Sequence, residues 1–293
     1  MKKILWILVL LGQAVTNHAA HAATHHHKAH KALSNNDAHH AQPNLQSNIA
    51  LIVDEQTGQV IYNKHADMQA PIASITKLMT AMVVLDAKPD MTAELSVDME
   101  DLDTLKGTRS RLRIGMTFTR AEMLQMALMA SENRAASALA RAYPGGMVAA
   151  VAAMNAKARQ LGMSNSKFFD PTGLNSDNVS TAQDLAKMVA AAQRYPLIHQ
   201  YTTTASASVD GWNGRELRFS NTNPLVKNAS WNIGLSKTGF INEAGRCLVM
   251  QAKINQRPVI IVLLNSWGKR TRIGDANRIK KWMEAHNLAA IKA

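Results

Sequence analysis

A single cysteine in 293 residues rules out an intramolecular disulfide, so the core must supply stability. That residue, Cys247, lies in the apolar run Cys247-Leu248-Val249-Met250 and reads as a buried strand thiol rather than a nucleophile. Aromatic residues are also scarce, at 5%, and no aromatic-rich basic motif points to nucleic acid. Acidic residues number 21 against 33 lysines and arginines. The resulting +12 favours a polyanionic partner, either cell-wall polymer or a membrane surface. The apolar stretch at 4–11 falls short of the ~20 residues that span a bilayer. It follows Lys2-Lys3 and precedes Ala20-His21-Ala22, the order of a charged n-region, an apolar core and an A-x-A cleavage site. Residues 1–22 are therefore expected to be a cleaved signal peptide. No cysteine near that site would carry a lipid anchor. An exported chain without disulfides fits a bacterial periplasm.

What is present is unevenly spread. Eight of the eleven histidines fall within residues 18–42, mixed with alanine. Residues 23–46 are expected to be a disordered tail. Cleavage after Ala22 would leave Ala23-Thr24-His25, and a histidine third from an amino terminus can hold Cu²⁺ or Ni²⁺ in a planar nitrogen set. Composition favours a solvated tail without a ligand. Residues 47–293 read as one domain. Two runs, Ile49–Asp54 and 59–62, flank Gln56-Thr57-Gly58 and predict a hairpin. Further strands are predicted at 234–239, 246–254 and 258–264, with Gly, Asn and Pro in their connections. Helical spacing predicts an apolar helix from Ser74 to Leu85 and helices at 120–129, 135–142, 147–161, 182–193 and 275–287. Strands at both ends with helices between describe an α+β domain. Its antiparallel five-stranded sheet is flanked by helices, with an inserted helical lobe.

Three short motifs carry the chemistry. Ser74-Ile75-Thr76-Lys77 puts a serine and a lysine three residues apart, on one face of the apolar helix. A buried lysine must be paired, solvated or neutral. A neutral one can take the proton that keeps a serine hydroxyl a poor nucleophile. That requires a pKa well below ~10.4, which burial and a second cation such as Lys237 would favour. Ser131-Glu132-Asn133 interrupts two helical patterns, as a rigid loop would. Asn133 can fix Lys77 and a substrate amide, and Ser131 can relay a proton to a leaving amine. Lys237-Thr238-Gly239 falls on a predicted strand, where Gly239 would let substrate approach the backbone. The Ser74 N–H, facing a strand N–H, offers oxyanion donors worth ~3–4 kcal/mol each. Ser164-Asn165-Ser166-Lys167 and Ser176-Asp177-Asn178 match the first two patterns as well, but in polar stretches without a supporting helix.

In this order the motifs resemble those shared by class A β-lactamases and penicillin-binding proteins. Other strings narrow the likeness: Pro71-Ile72-Ala73-Ser74, Ala130-Ser131-Glu132-Asn133-Arg134, Tyr143-Pro144-Gly145-Gly146, Pro171-Thr172-Gly173-Leu174 and Lys237-Thr238-Gly239-Phe240. From about Ile49 to about Met283 the chain resembles low-molecular-mass penicillin-binding proteins of the D-alanyl-D-alanine carboxypeptidase family. Within that family it resembles most the D-alanyl-D-alanine endopeptidases of the penicillin-binding protein 7 type. The resemblance implies a β-lactamase/transpeptidase-like fold and a cofactor-free serine hydrolase. Such an enzyme acts on peptidoglycan, in cell wall biogenesis and cell shape, and is acylated by β-lactam antibiotics. It implies Ser74 as nucleophile, Lys77 as base, and Ser131 with Asn133 as the second motif. Lys237, Thr238 and Gly239 would bind the substrate carboxylate, and the Ser74 and Phe240 amides would form the oxyanion hole.

The expected bond is the D-Ala-meso-diaminopimelate cross-link, with trimming of a D-Ala-D-Ala end as the alternative. Both place a carboxylate beside the scissile amide on a D-centre. The chain has neither the added C-terminal domain nor the amphipathic tail of the membrane-tethered carboxypeptidases, so a soluble periplasmic enzyme is expected. A β-lactamase would need a Glu-x-x-Leu-Asn string after Asn133; Asp170-Pro171-Thr172-Gly173-Leu174-Asn175, the nearest match, reads as a loop anchor. A non-catalytic binding module would not require the complete set of motifs. Arg109, Arg111 and Arg113 recur at period two and would share one face if extended, either as a solvated face or as a grip on the sacculus. Met123, Met126 and Met129 read as core packing.

Overall fold

The computed structural model describes residues 42–286. The expected leader, the histidine-third metal site and the end of the last predicted helix lie outside the described residues. The first described residues already belong to the fold. Leu45 is buried in the core, and the Gln46 and Ser47 amides donate to the Asp275 carboxylate at 3.0 and 2.7 Å. The expected tail boundary at 46 is therefore a few residues late.

Strands β1 (Ile49–Asp54) and β2 (Val60–Lys64) form the predicted hairpin, its turn held by the Asp54 carboxylate on the Gln56 and Thr57 amides. Strand β3 (Ala70–Pro71) leads through a 3₁₀ turn, Ala73–Ile75, into α1 (Thr76–Asp86). The predicted helix thus begins two residues later than expected, and Ser74 stands in the turn before it. A ribbon of β4 (Glu94–Ser96) and β5 (Thr117–Thr119) precedes α2 (Arg120–Met129). There Thr119 and Glu122 form a reciprocal cap that starts the helix where its sequence predicts. Helices α3 (Asn133–Arg141) and α4 (Gly146–Gln160) follow. Strand β6 (Val179–Ser180) pairs with β3, and α5 (Ala182–Ala192) is capped by Thr181. Helix α6 (Pro196–Thr203) and a hairpin of β7 (Ser206–Asp210) and β8 (Glu216–Ser220) are additions to the predicted set. Strands β9 (Asn232–Ile241), β10 (Gly245–Ile254) and β11 (Arg257–Ser266) and helix α7 (Thr271–Ala285) complete the chain order.

The main sheet has the order β2-β1-β11-β10-β9, antiparallel throughout. Its three inner strands are apolar on both faces because each face is covered. On one side Ile49, Leu51, Val249, Ile260 and Val262 pack against the helical lobe that contains α1 and α5. On the other, Ile52, Leu248, Met250, Ile261 and Leu263 meet Ile279 and Met283 of α7. Alternate residues of one strand therefore enter different cores. Each fully buried aliphatic side chain stabilises the fold by ~1.5–3 kcal/mol. Cys247 is fully buried here, and burial pushes its thiol up to about 11. Strand β9 lies at the sheet edge, against the 3₁₀ turn that holds Ser74.

Candidate active site

The turn before α1 is strained and tightly wedged. Ala73 has φ +48°, a left-handed conformation that costs a non-glycine residue of order 1 kcal/mol or more. Two glycines accommodate it. A Cβ on Gly173 would stand 1.9 Å from the Ala73 carbonyl oxygen, and Gly173 itself has φ +79°. A Cβ on Gly239 would meet the Ile72 carbonyl oxygen at 2.8 Å and the Ser74 nitrogen at 3.2 Å. The K-T-G glycine thus lets the serine's own turn approach β9, whereas the sequence suggested room for substrate. Ser131 is likewise left-handed, with φ +61°, and separates α2 from α3 as the interrupted pattern predicts.

These turns bring Ser74, Lys77, Ser131, Asn133 and Lys237 together. Lys77, 1% exposed, directs Nζ at Ser74 Oγ (2.9 Å), Asn133 Oδ1 (2.7 Å) and the Thr172 carbonyl (2.7 Å). Its lysine pKa is lowered to about 8 by burial, opposed by the carboxylates of Asp170, Glu132 and Asp103. Once one proton leaves, the two oxygens that can only accept retain the remaining N–H groups. The lone pair is then left facing Ser74 Oγ, the arrangement a general base needs.

Lys237 Nζ donates to Ser131 Oγ at 2.8 Å and to the Thr238 carbonyl at 3.0 Å. Burial, then the charges of Lys77 and Arg272, hold it well below the ordinary lysine value. Burial, the first of the two influences expected to lower Lys77, is the leading one, and repulsion between the two lysines depresses Lys237. Thr238 Oγ1 lies 2.6 Å from Thr222 Oγ1.

Several contributors escaped sequence reading. The Thr172 carbonyl is aimed by a loop in which Asp170 accepts the Thr172 and Gly173 amides and Thr80 Oγ1 donates to the Pro171 carbonyl. Asn178 closes the same loop by accepting the Phe169 and Asp170 amides. The second S-D-N match therefore has a structural task. In the other duplicate motif, Ser164 Oγ accepts from Asn165 Nδ2 while Lys167 lies over the Phe169 ring, and no serine–lysine hydrogen bond forms. Arg272 is buried behind β9, its Nη1 3.4 Å from the Gly239 carbonyl and its Nε without a hydrogen-bond partner among the described residues. Spacing alone offers no signal for it. Asn133 Nδ2 donates to Thr108 Oγ1 at 2.9 Å, tying the arginine-bearing loop to the cleft. Among the described residues no His, Cys, Asp and Glu group is arranged to hold a metal ion.

A two-faced antiparallel sheet with a helical lobe and a serine–lysine pair between them defines a serine hydrolase of the D,D-peptidase/transpeptidase fold. The chain belongs to the D-alanyl-D-alanine carboxypeptidase family, which it matches over residues 36–268. It is 49% identical to a D-alanyl-D-alanine endopeptidase of Pseudomonas aeruginosa over 86% of this chain and 82% of that one. Identity to a D-alanyl-D-alanine endopeptidase of Escherichia coli is also 49%, with the same coverage. The Streptomyces K15 DD-transpeptidase structure superposes with a TM-score of 0.77 at 27% identity, over 83% of this chain and 99% of that one. A D-alanyl-D-alanine carboxypeptidase structure from Mycobacterium tuberculosis gives 0.75 at 28%, over 83% and 92%.

Proposed function

We propose that this chain is a periplasmic serine D,D-endopeptidase that opens D-Ala-meso-diaminopimelate cross-links of peptidoglycan and is acylated on Ser74 by β-lactams. The observation that carries the mechanism is the three-acceptor setting of Lys77 Nζ. Neutral Lys77 takes the Ser74 hydroxyl proton as Oγ attacks the scissile carbonyl carbon. The Ser74 and Phe240 amides receive the oxyanion. When the C–N bond breaks, Ser131 passes its hydroxyl proton to the leaving amine and takes in exchange the proton that Lys77 received from Ser74, which leaves Lys77 neutral again. Water then hydrolyses the Ser74 ester and releases the D-alanyl carboxylate. Lys237 and Thr238 receive the carboxylate beside the scissile amide. Charge on Lys237, favoured by that anion, repels charge on Lys77 and so favours the neutral base. The endopeptidase choice rests on the 49% identity to proteins so named. Export rests on the n-region, apolar core and A-x-A order of residues 1–22.

The second reading is D-alanyl-D-alanine carboxypeptidase activity, favoured by a 32% identical carboxypeptidase of Bacillus subtilis. A β-lactamase reading is disfavoured because Asp170 is engaged by loop amides. Digestion of purified cross-linked muropeptide dimers, with product masses and Ser74→Ala as control, tests the assignment. Monomer release is expected; loss of one terminal alanine without monomer release would transfer the chain to the carboxypeptidases. No cleavage of either kind would overturn both readings.

A further inference from the structure

Away from the catalytic cleft, residues 110–116 face the β7–β8 hairpin across a groove of about 630 Å³. Four arginines line it, Arg111, Arg113, Arg215 and Arg218, with Glu216 as the only carboxylate. Glu216 is paired with Arg218 at 2.8 Å. Arg111 is held over the Phe219 ring at 4.2 Å and bonded to the Arg218 carbonyl. Arg113 and Arg215 have no ion-pair partner among the described residues. Trp212 lies against Gly115 at the groove's end, yet 50% of it is exposed. Of the three arginines noted in the sequence, Arg109 does not line this groove.

Each wall is tethered to the catalytic cleft through its chain neighbours. The 110–116 wall continues back to Thr108, which accepts from Asn133. The hairpin continues forward to Thr222, hydrogen-bonded to Thr238. We propose that the groove is a binding track for a peptidoglycan strand, with Arg113 and Arg215 on stem-peptide carboxylates and Trp212 stacked on a sugar ring. This rests on the peptidoglycan reading above. Guanidinium forks match carboxylates in two hydrogen bonds, and an exposed indole face suits the C–H face of a pyranose. The concave shape suits a chain rather than a planar lipid surface.

The test uses the full chain carrying Arg113→Gln, Arg215→Gln and Trp212→Ala together. Co-sedimentation with purified sacculi should fall about tenfold, from the loss of two charge contacts and one stacking ring. Acylation by a fluorescent penicillin, which carries no stem peptide, should stay within about twofold of wild type, which also shows that the variant folds. Wild-type sedimentation by the variant would overturn the track. So would a parallel loss of acylation, or a loss confined to binding of phosphatidylglycerol vesicles. Wild-type failure to cleave dimers would sink the peptidase reading, while sedimentation still reports separately on the groove.

Discussion

Two sets of cations stand a short loop apart and are treated in opposite ways. Lys77, Lys237 and Arg272 are 1%, 1% and 8% exposed, and burial lowers the pKa of all three. Arg218 in the groove has 83% of its side chain in solvent, and Arg113 is exposed too. Charge of one sign thus yields two functions. Where water is excluded an amine such as that of Lys77 is pressed toward losing its proton, the form a base needs. Where water remains the charge persists, and its use is attraction at a surface.

The sharpest break in that contrast is the same substitution on each side. Lys77→Met should cut penicillin acylation about 10³-fold, the scale of a lost general base. It should also raise the melting temperature, because a desolvated amine gives way to an apolar chain of similar length. Arg113→Met should leave acylation within about twofold and stability within ~0.5 kcal/mol. Acylation kinetics and thermal melts decide; an unaltered rate in Lys77→Met would end the base assignment.

Next in size is the backbone counterpart. Gly173→Ala should destabilise by about 3 kcal/mol and slow acylation, since its Cβ would collide with the Ala73 carbonyl in the serine turn. Gly214→Ala at the hairpin tip has φ +70° but open space around it, and should cost only about 1 kcal/mol in denaturant titrations. Equal losses would show that the turn is not the wedged element described.

Proton binding gives a smaller but clean difference. The neutral amine is the active form, so the acylation rate constant should rise about tenfold per unit toward pH 8 and level above it. Folding follows the same sign. Between about 8 and 10.5 the unfolded chain binds the Lys77 proton that the folded chain has lost, so stability from this group rises with pH across that window. The guanidinium groups stay charged throughout, and sacculus binding through them should be flat. An acylation profile descending through pH 8 would contradict Lys77 as the base.

Smallest is the salt effect. Raising ionic strength from about 50 to about 500 mM should weaken sacculus sedimentation severalfold and change penicillin acylation less than about twofold. Similar sensitivity in both assays would erase the distinction between screened and unscreened cations.

Much of this was legible because the signals were local. The reciprocal Thr119–Glu122 cap and the β1–β2 turn are written within a few residues, and both cores follow from strand runs that are apolar at nearly every position. Ser74, Lys77, Ser131, Asn133 and Lys237 were legible as motifs, and the structure places them in one cleft. The missed parts depend on distant pieces of chain. The Thr172 carbonyl has no side-chain identity to read, and Arg272 reaches the cleft only because α7 packs behind β10 and β11. The β7–β8 hairpin escaped because Ser206–Asp210 and Glu216–Ser220 are short and largely polar. Residues 109–113, whose arginines would share one face only if extended, form an irregular loop pinned through Thr108 and Leu112, with the three arginines exposed.

The pairing of β1 with β11 matches Ile49 to Leu264, joining residues about two hundred positions apart. A nascent chain cannot close its central sheet until nearly the last strand exists. The wedge between Gly239 and the Ser74 turn must wait for the same event. Partial chains should therefore be inert as well as unfolded, and assembly should be slow for a chain of this size because loop closure comes before most of its reward. The reactive serine acquires its setting only at the end, so the timing of folding also sets when the hydrolase is armed.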